Sequence, residues 1–130
     1  MSKSTKERGR IYLLGRPGSG KSYLCNIFAK DDYKTFYHGD SASSVTKNVS
    51  KAPSIIEGWD IYDTPGFWNF EHKVFQKWWR EERSITHNKY IIFIIVTPIG
   101  GRFSLDDLRV CQEIINVCNT KKNLGYYLIV

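Results

Sequence analysis

The sequence lacks any long hydrophobic run. Its longest uninterrupted apolar stretch, Tyr90 to Val96, falls far short of the ~20 residues that a membrane-spanning helix needs. The opening residues, Met1 to Arg10, have no apolar centre, so no secretory signal is read there and a cytoplasmic setting is expected. Cysteine is scarce. Cys25, Cys111 and Cys118 form no Cys-x-x-Cys pair, which argues against a disulfide frame or a zinc site and leaves reduced, buried thiols as the reading. Repeats, low-complexity tracts and internal linkers are also missing, and 130 residues leave room for about one domain.

What is present suffices for a core: 42% of residues are hydrophobic and 15% aromatic. The net charge is +6, from 19 basic and 13 acidic residues. Half of it lies at the start, where Lys3, Lys6, Arg8 and Arg10 oppose only Glu7. Residues 1–9 therefore read as a basic, flexible tail and 10–130 as the folded unit. The body is only mildly basic, and no nucleic-acid partner is expected.

Strand-like and helix-like segments alternate. Arg10 to Leu14 is a short apolar run, Lys21 to Ala29 is helical, and Lys30 to Lys47 is a long polar loop. Ile55 to Tyr62 is strand-like but broken by Gly58. Glu71 to Ile85 reads as a helix with Val74, Phe75, Trp78, Trp79 and Ile85 on one side. The unbroken apolar character of Tyr90 to Val96 fits a parallel strand covered on both faces. Ser104 and Asp107 form a capping-box pattern ahead of a helix whose apolar face is Leu108, Cys111, Ile115 and Cys118, with Leu105 and Ile114 beside it. Tyr126 to Val130 closes the chain as a strand. This order predicts an α/β fold: a three-layer P-loop NTPase with a mainly parallel central sheet.

Gly15-Arg16-Pro17-Gly18-Ser19-Gly20-Lys21-Ser22 satisfies the phosphate-loop pattern GxxxxGK[ST], entered from a strand and left by a helix. Its glycines let backbone N–H groups converge on phosphate oxygens at a helix N-terminus. Lys21 is expected to reach the β and γ phosphates, and the Ser22 hydroxyl to bind Mg²⁺. Lys21 is also expected to serve the anion rather than the core, so that its loss spares the fold. Asp63-Thr64-Pro65-Gly66 follows the next strand-like segment. Asp63 there can hold the metal through water and the Gly66 N–H can sense a γ-phosphate, which together point to a GTPase-type switch. In the polar loop between the two motifs, Thr46 is one candidate for completing the Mg²⁺ shell, and Thr35, Ser43 and Ser44 compete with it on loop chemistry alone.

The ordered set GRPGSGKS, SVTKN, DTPGF and IGGRFSLDD resembles the AIG/GIMAP family of septin-like P-loop GTPases from about Ile11 to Val130. The resemblance favours Thr46 as the switch ligand. It implies binding of GTP and GDP with Mg²⁺, slow hydrolysis, and nucleotide-dependent self-association into a homo-oligomer. It also implies peripheral contact with an intracellular membrane through segments outside the G domain. Two positions depart from the family pattern: Val49 where cysteine is common, and Arg16-Pro17 where Lys-Thr is frequent.

Guanine specificity in this class comes from an [NT]KxD motif just after the strand read at Tyr126 to Val130, and Thr120-Lys121-Lys122-Asn123 precedes that strand instead. The domain therefore reads as incomplete at its C-terminus. Phe67 follows the switch glycine where Ras-like enzymes place a water-orienting glutamine, so intrinsic hydrolysis is expected to be slow. His72 and Gln76 read as solvent-facing, and Trp78 and Trp79 as packing residues. Arg102, in the Gly-Gly-Arg-Phe loop after the apolar strand, fits two roles equally: an arginine finger supplied in trans, or a solvated residue bridging to Asp106 or Asp107. Two further functional readings stay open, a non-hydrolysing nucleotide-binding assembly module and an inactive fragment.

Overall fold

The computed structural model describes residues 7–15, 20–30, 50–64, 72–97, 104–121 and 124–130. Alternation sets the first strand, β1 (Gly9–Gly15): Ile11 and Leu13 point to one side, Tyr12 and Leu14 to the other, and all four are buried. After it come α1 (Lys21–Phe28), β2 (Ser50–Pro53), β3 (Trp59–Asp63), α2 (His72–Thr86), β4 (Tyr90–Val96), α3 (Leu105–Thr120) and β5 (Gly125–Ile129). The strands join in the order β2-β3-β1-β4-β5. β1 runs parallel to both β3 and β4, and β4 parallel to β5; β2 alone is antiparallel, against β3.

Two cores flank the sheet, which gives the expected three layers. On one side Tyr12, Leu14, Phe93 and Ile95 pack with Phe75 and Trp79 of α2 and Val110 and Ile114 of α3. On the other, Ile11, Leu13, Ile61 and Ile94 pack with Cys25 of α1. Each fully buried large side chain is worth ~1.5–3 kcal/mol, so both layers contribute to holding the strand ends in place. Strand β4 is covered on both faces along most of its length, as its composition predicts. All three cysteines are buried and free. No described helix is long and apolar enough to cross a membrane.

Gly58, at φ 85°, breaks the run from Ile55 to Tyr62 as the sequence reading has it, and β3 starts at Trp59. Three details differ from that reading. Edge strand β2 has no alternating pattern to announce it. Ser50 to Pro53 extends because it pairs with Asp63 to Asp60, and Pro53 is tolerated at an edge.

Both long helices turn a different face to the core than expected. In α2, Val74 and Ile85 are exposed while Phe75 and Trp79 are buried, with Trp78 partly so. In α3, Leu105 and Leu108 are exposed and Val110, Cys111, Ile114 and Cys118 face inward. The cap explains α3: the Ser104 hydroxyl accepts from the Asp107 N–H at 3.1 Å, and Asp107 Oδ2 accepts from the Ser104 N–H at 2.8 Å. This capping box draws Asp107 to 1% exposure and rotates the apolar stripe with it.

Candidate functional site

The parallel register places the ends of β1 and β3 side by side, with Leu13 opposite Asp63. Thr64 locks that alignment. It is fully buried, and both its hydroxyl, at 2.6 Å, and its N–H, at 3.3 Å, donate to the Leu13 carbonyl. Sequence reasoning assigned Thr64 no role. Its signal was available, since a threonine at a strand end can supply a hydroxyl where the ladder runs out of partners.

Beyond Gly15, Gly20 takes a left-handed conformation at φ 92° and α1 starts at Lys21. A residue with a Cβ is strained at that φ, so the glycine of the motif is needed for the backbone itself. The first turn of α1 then meets the end of β3. Lys21 Nζ donates to Asp63 Oδ1 at 2.5 Å and to the Thr64 carbonyl at 2.5 Å. Ser22 Oγ donates to Asp63 Oδ2 at 2.8 Å. One carboxylate thus ties both residues of the Lys-Ser pair, using both of its oxygens.

Burial makes this cluster electrostatically strong. Lys21 and Asp63 are 7% and 3% exposed, so their attraction is little screened by solvent. Lys21 is therefore part of the buried structure, whereas the sequence reading gave it to the anion and not to the core. Removing the ammonium leaves the Asp63 carboxylate buried beside only a hydroxyl. Cys25, one turn further along α1, is fully buried, and desolvation together with the Asp63 charge pushes its thiol pKa upward. It is inert as a nucleophile in that setting.

Of the residues the sequence singled out, Gly15, Gly20, Lys21, Ser22 and Asp63 are brought together at the carboxyl end of the sheet. Arg16, Pro17, Gly18, Ser19, Thr46, Gly66 and Arg102 lie outside the described residues, as do Thr35, Ser43, Ser44 and Phe67. Gln76 is not simply solvent-facing: its amide donates to Glu113 Oε1 at 2.8 Å and bridges α2 to α3. Ser22 Oγ and the Asp63 carboxylate are hard oxygen donors of the type Mg²⁺ prefers, so the donor chemistry fits that metal.

A strand–loop–helix carrying GK[ST], with an acidic strand end hydrogen-bonded to the lysine and the serine, defines a P-loop nucleotide-binding domain of the GTPase class. The sequence profile of the family described as 50S ribosome-binding GTPase matches residues 10–129, and the chain belongs to that P-loop GTPase family. Family membership makes guanine nucleotide the implied ligand. No curated protein matches the chain.

Proposed function

We propose that the chain is a guanine-nucleotide switch whose phosphate site is built on Lys21 and Ser22 and whose metal site is built on Ser22 and Asp63. The observation that carries this reading is the Asp63 carboxylate accepting from both Lys21 Nζ and Ser22 Oγ. In the bound state Lys21 would turn its ammonium to the β and γ phosphates, while the backbone N–H groups of the motif, Pro17 excepted, would cradle the anion. Ser22 and Asp63 would hold the metal, Ser22 through its hydroxyl and Asp63 through its carboxylate. Mg²⁺, when bound, supplies charge neutralisation on the phosphate oxygens. Thr46 completes the metal shell in the triphosphate state and Gly66 senses the γ-phosphate.

Hydrolysis is slow because Phe67 carries no group that orients water. The useful output is then a difference in partner affinity between the GTP and GDP states. The AIG/GIMAP resemblance adds nucleotide-dependent self-association, with Arg102 of one subunit supporting its partner's site, and peripheral contact with an intracellular membrane. Titration of the purified chain with a fluorescent GTP analogue tests the core of the proposal. Lys21→Ala is expected to weaken binding by about 10- to 100-fold, the loss of one charge-assisted contact to phosphate. Equal affinity of the variant and the parent would sink it. A single-turnover assay separates a slow enzyme from a non-hydrolysing assembly module.

A further inference from the structure

A second candidate site lies away from the nucleotide end, between α2 and α3. The two helices leave a groove of about 790 Å³ between them. Its base is apolar, formed by Phe75 and Trp79 of α2 with Val117 of α3 and Leu124 beyond it. Lys121 closes one end by donating to the Thr86 carbonyl at 3.0 Å, and the Gln76–Glu113 bond spans it elsewhere.

The walls are charged unequally. Arg80, Arg83 and His87 line the α2 side, all exposed, and among the described residues neither guanidinium makes an ion pair. The α3 side carries Glu113. The α2 wall from Phe75 to Ser84 runs about 14 Å at a rise of ~1.5 Å per residue, which is long and open for a compact small molecule and matches a docked helix. Arg80 and Arg83 are separated by three positions and project from neighbouring turns, as an acidic helix face requires.

From this arrangement we infer that the α2/α3 groove docks an acidic amphipathic helix of a partner protein. Its apolar face sits over the half-buried Val117 and Leu124; its acidic row lies against Arg80 and Arg83 and away from Glu113. Charge excludes the other occupants this chain supplies. The amino-terminal residues are basic and are repelled. A second copy offers no acidic row among the described helical side chains: α1 has no acidic residue, Glu81 is exposed but has no acidic neighbour at i±3 or i±4, Glu82 is tied to Arg10 and Tyr12, Asp107 is buried in its cap, and Glu113 accepts from Gln76. RNA is disfavoured because Phe75 and Trp79 are 1% and 8% exposed, too covered to stack bases. A membrane is disfavoured because the cations line a concavity.

The inference goes beyond the nucleotide reading, and its test needs no nucleotide. Fluorescence anisotropy would follow a labelled synthetic helix of about 14 residues, with leucines at i, i+3/i+4 and i+7 and a flanking row of glutamates. The expected result is saturable binding that Arg80→Glu/Arg83→Glu weakens at least about tenfold, with recovery when the peptide carries lysines in place of its glutamates. Both arginines are exposed, so the pair is expected to fold; a thermal melt checks this, and Val117→Glu blocks the groove independently. Binding that the two arginine substitutions leave unchanged would overturn the inference, as would equal binding of a composition-matched scrambled peptide. So would tighter, arginine-dependent binding of single-stranded RNA or of phosphatidylserine vesicles.

Discussion

The two ends of β1 carry two ion clusters built on opposite plans, one buried and one half-buried. At the carboxyl end, Asp63 binds Lys21 and Ser22, both of which belong to a motif for phosphate and metal. At the amino end, Glu7 accepts from Arg10 Nε at 2.7 Å, from Tyr62 Oη at 2.7 Å and from Lys89 Nζ. Arg10 in turn reaches Glu82 at 3.1 Å, which also takes the Tyr12 hydroxyl at 2.7 Å, and its guanidinium stacks 4.6 Å from the Tyr62 ring centre. This second cluster joins β1, β3, α2 and the turn before β4 through side chains that satisfy one another. No member sits at a glycine-built turn or at a helix start. Charge pairing is thus shared by both ends; what separates them is that Lys21 stands at a helix start directly after the left-handed Gly20.

The largest effect expected from breaking this contrast is at Lys21. Lys21→Ala should both weaken guanine-nucleotide binding and destabilise the fold by on the order of 3 kcal/mol, read by urea denaturation, because it strands Asp63. Lys21→Ala/Asp63→Asn should recover much of the stability and none of the binding. Single losses that simply add would show that the pair is not coupled.

Glu7→Gln should cost about 1–2 kcal/mol by the same measurement, since a half-buried acceptor of three charged or hydroxyl donors loses its charge. Nucleotide affinity should not change. A parallel loss of affinity would mean that the two ends of β1 communicate.

The amino-terminal cluster also has a pH signature. Burial raises the Asp60 carboxyl to about 6, helped by its hydrogen bond to Glu7 and the charge there, with Lys51 and Arg10 opposing. Glu7 is held at about 2: burial alone would raise it, but hydrogen bonds from Asp60, Lys89, Tyr62 and Arg10 outweigh that. A raised acid binds its proton more tightly when folded, so Asp60 adds stability as pH falls through about 6. A lowered acid does the reverse, and the Glu7 contribution fades as pH falls from its ordinary 4.5 toward 2. Tm from this pair should therefore peak between these ranges, at mildly acidic pH. Asp60→Asn, which mimics the protonated acid, should raise Tm at pH 7 and flatten the gain between pH 7 and 5. An unchanged pH profile would remove Asp60 from the cluster.

The smallest effect tests position alone. Ser104→Ala should cost about 1 kcal/mol through loss of the α3 cap and leave nucleotide binding intact, although Ser104 also lies at the carboxyl end of the sheet.

Local pattern carried much of this. The strand end at Gly15 and the helix start at Lys21 that flank the phosphate-loop motif, the capping box at Ser104 and Asp107, and the unbroken apolar strand Tyr90–Val96 are each written within a short stretch and appear where the sequence places them. Helix faces were less legible: Leu105 and Leu108 fit an apolar stripe as well as Val110 does, and only the inward turn of Asp107 decides between them. Strand β2 was invisible because Ser-Lys-Ala-Pro has no intrinsic strand pattern and extends only against β3.

The sequence alone determined the class of ligand site, because a phosphate loop depends on glycine conformations and on the polarity of one helix start, both local properties. It equally determined the alternation of strands and helices, through period and punctuation. Only the assembled sheet decided what Lys21 touches. Parallel pairing of β1 with β3 brings a carboxylate 42 residues away to 2.5 Å from the ammonium and buries both. It likewise decided that Glu7, read as the lone acid of a basic tail, is the hub of a brace, because its partners Arg10, Tyr62 and Lys89 lie in β1, in β3 and just before β4, which meet only after folding.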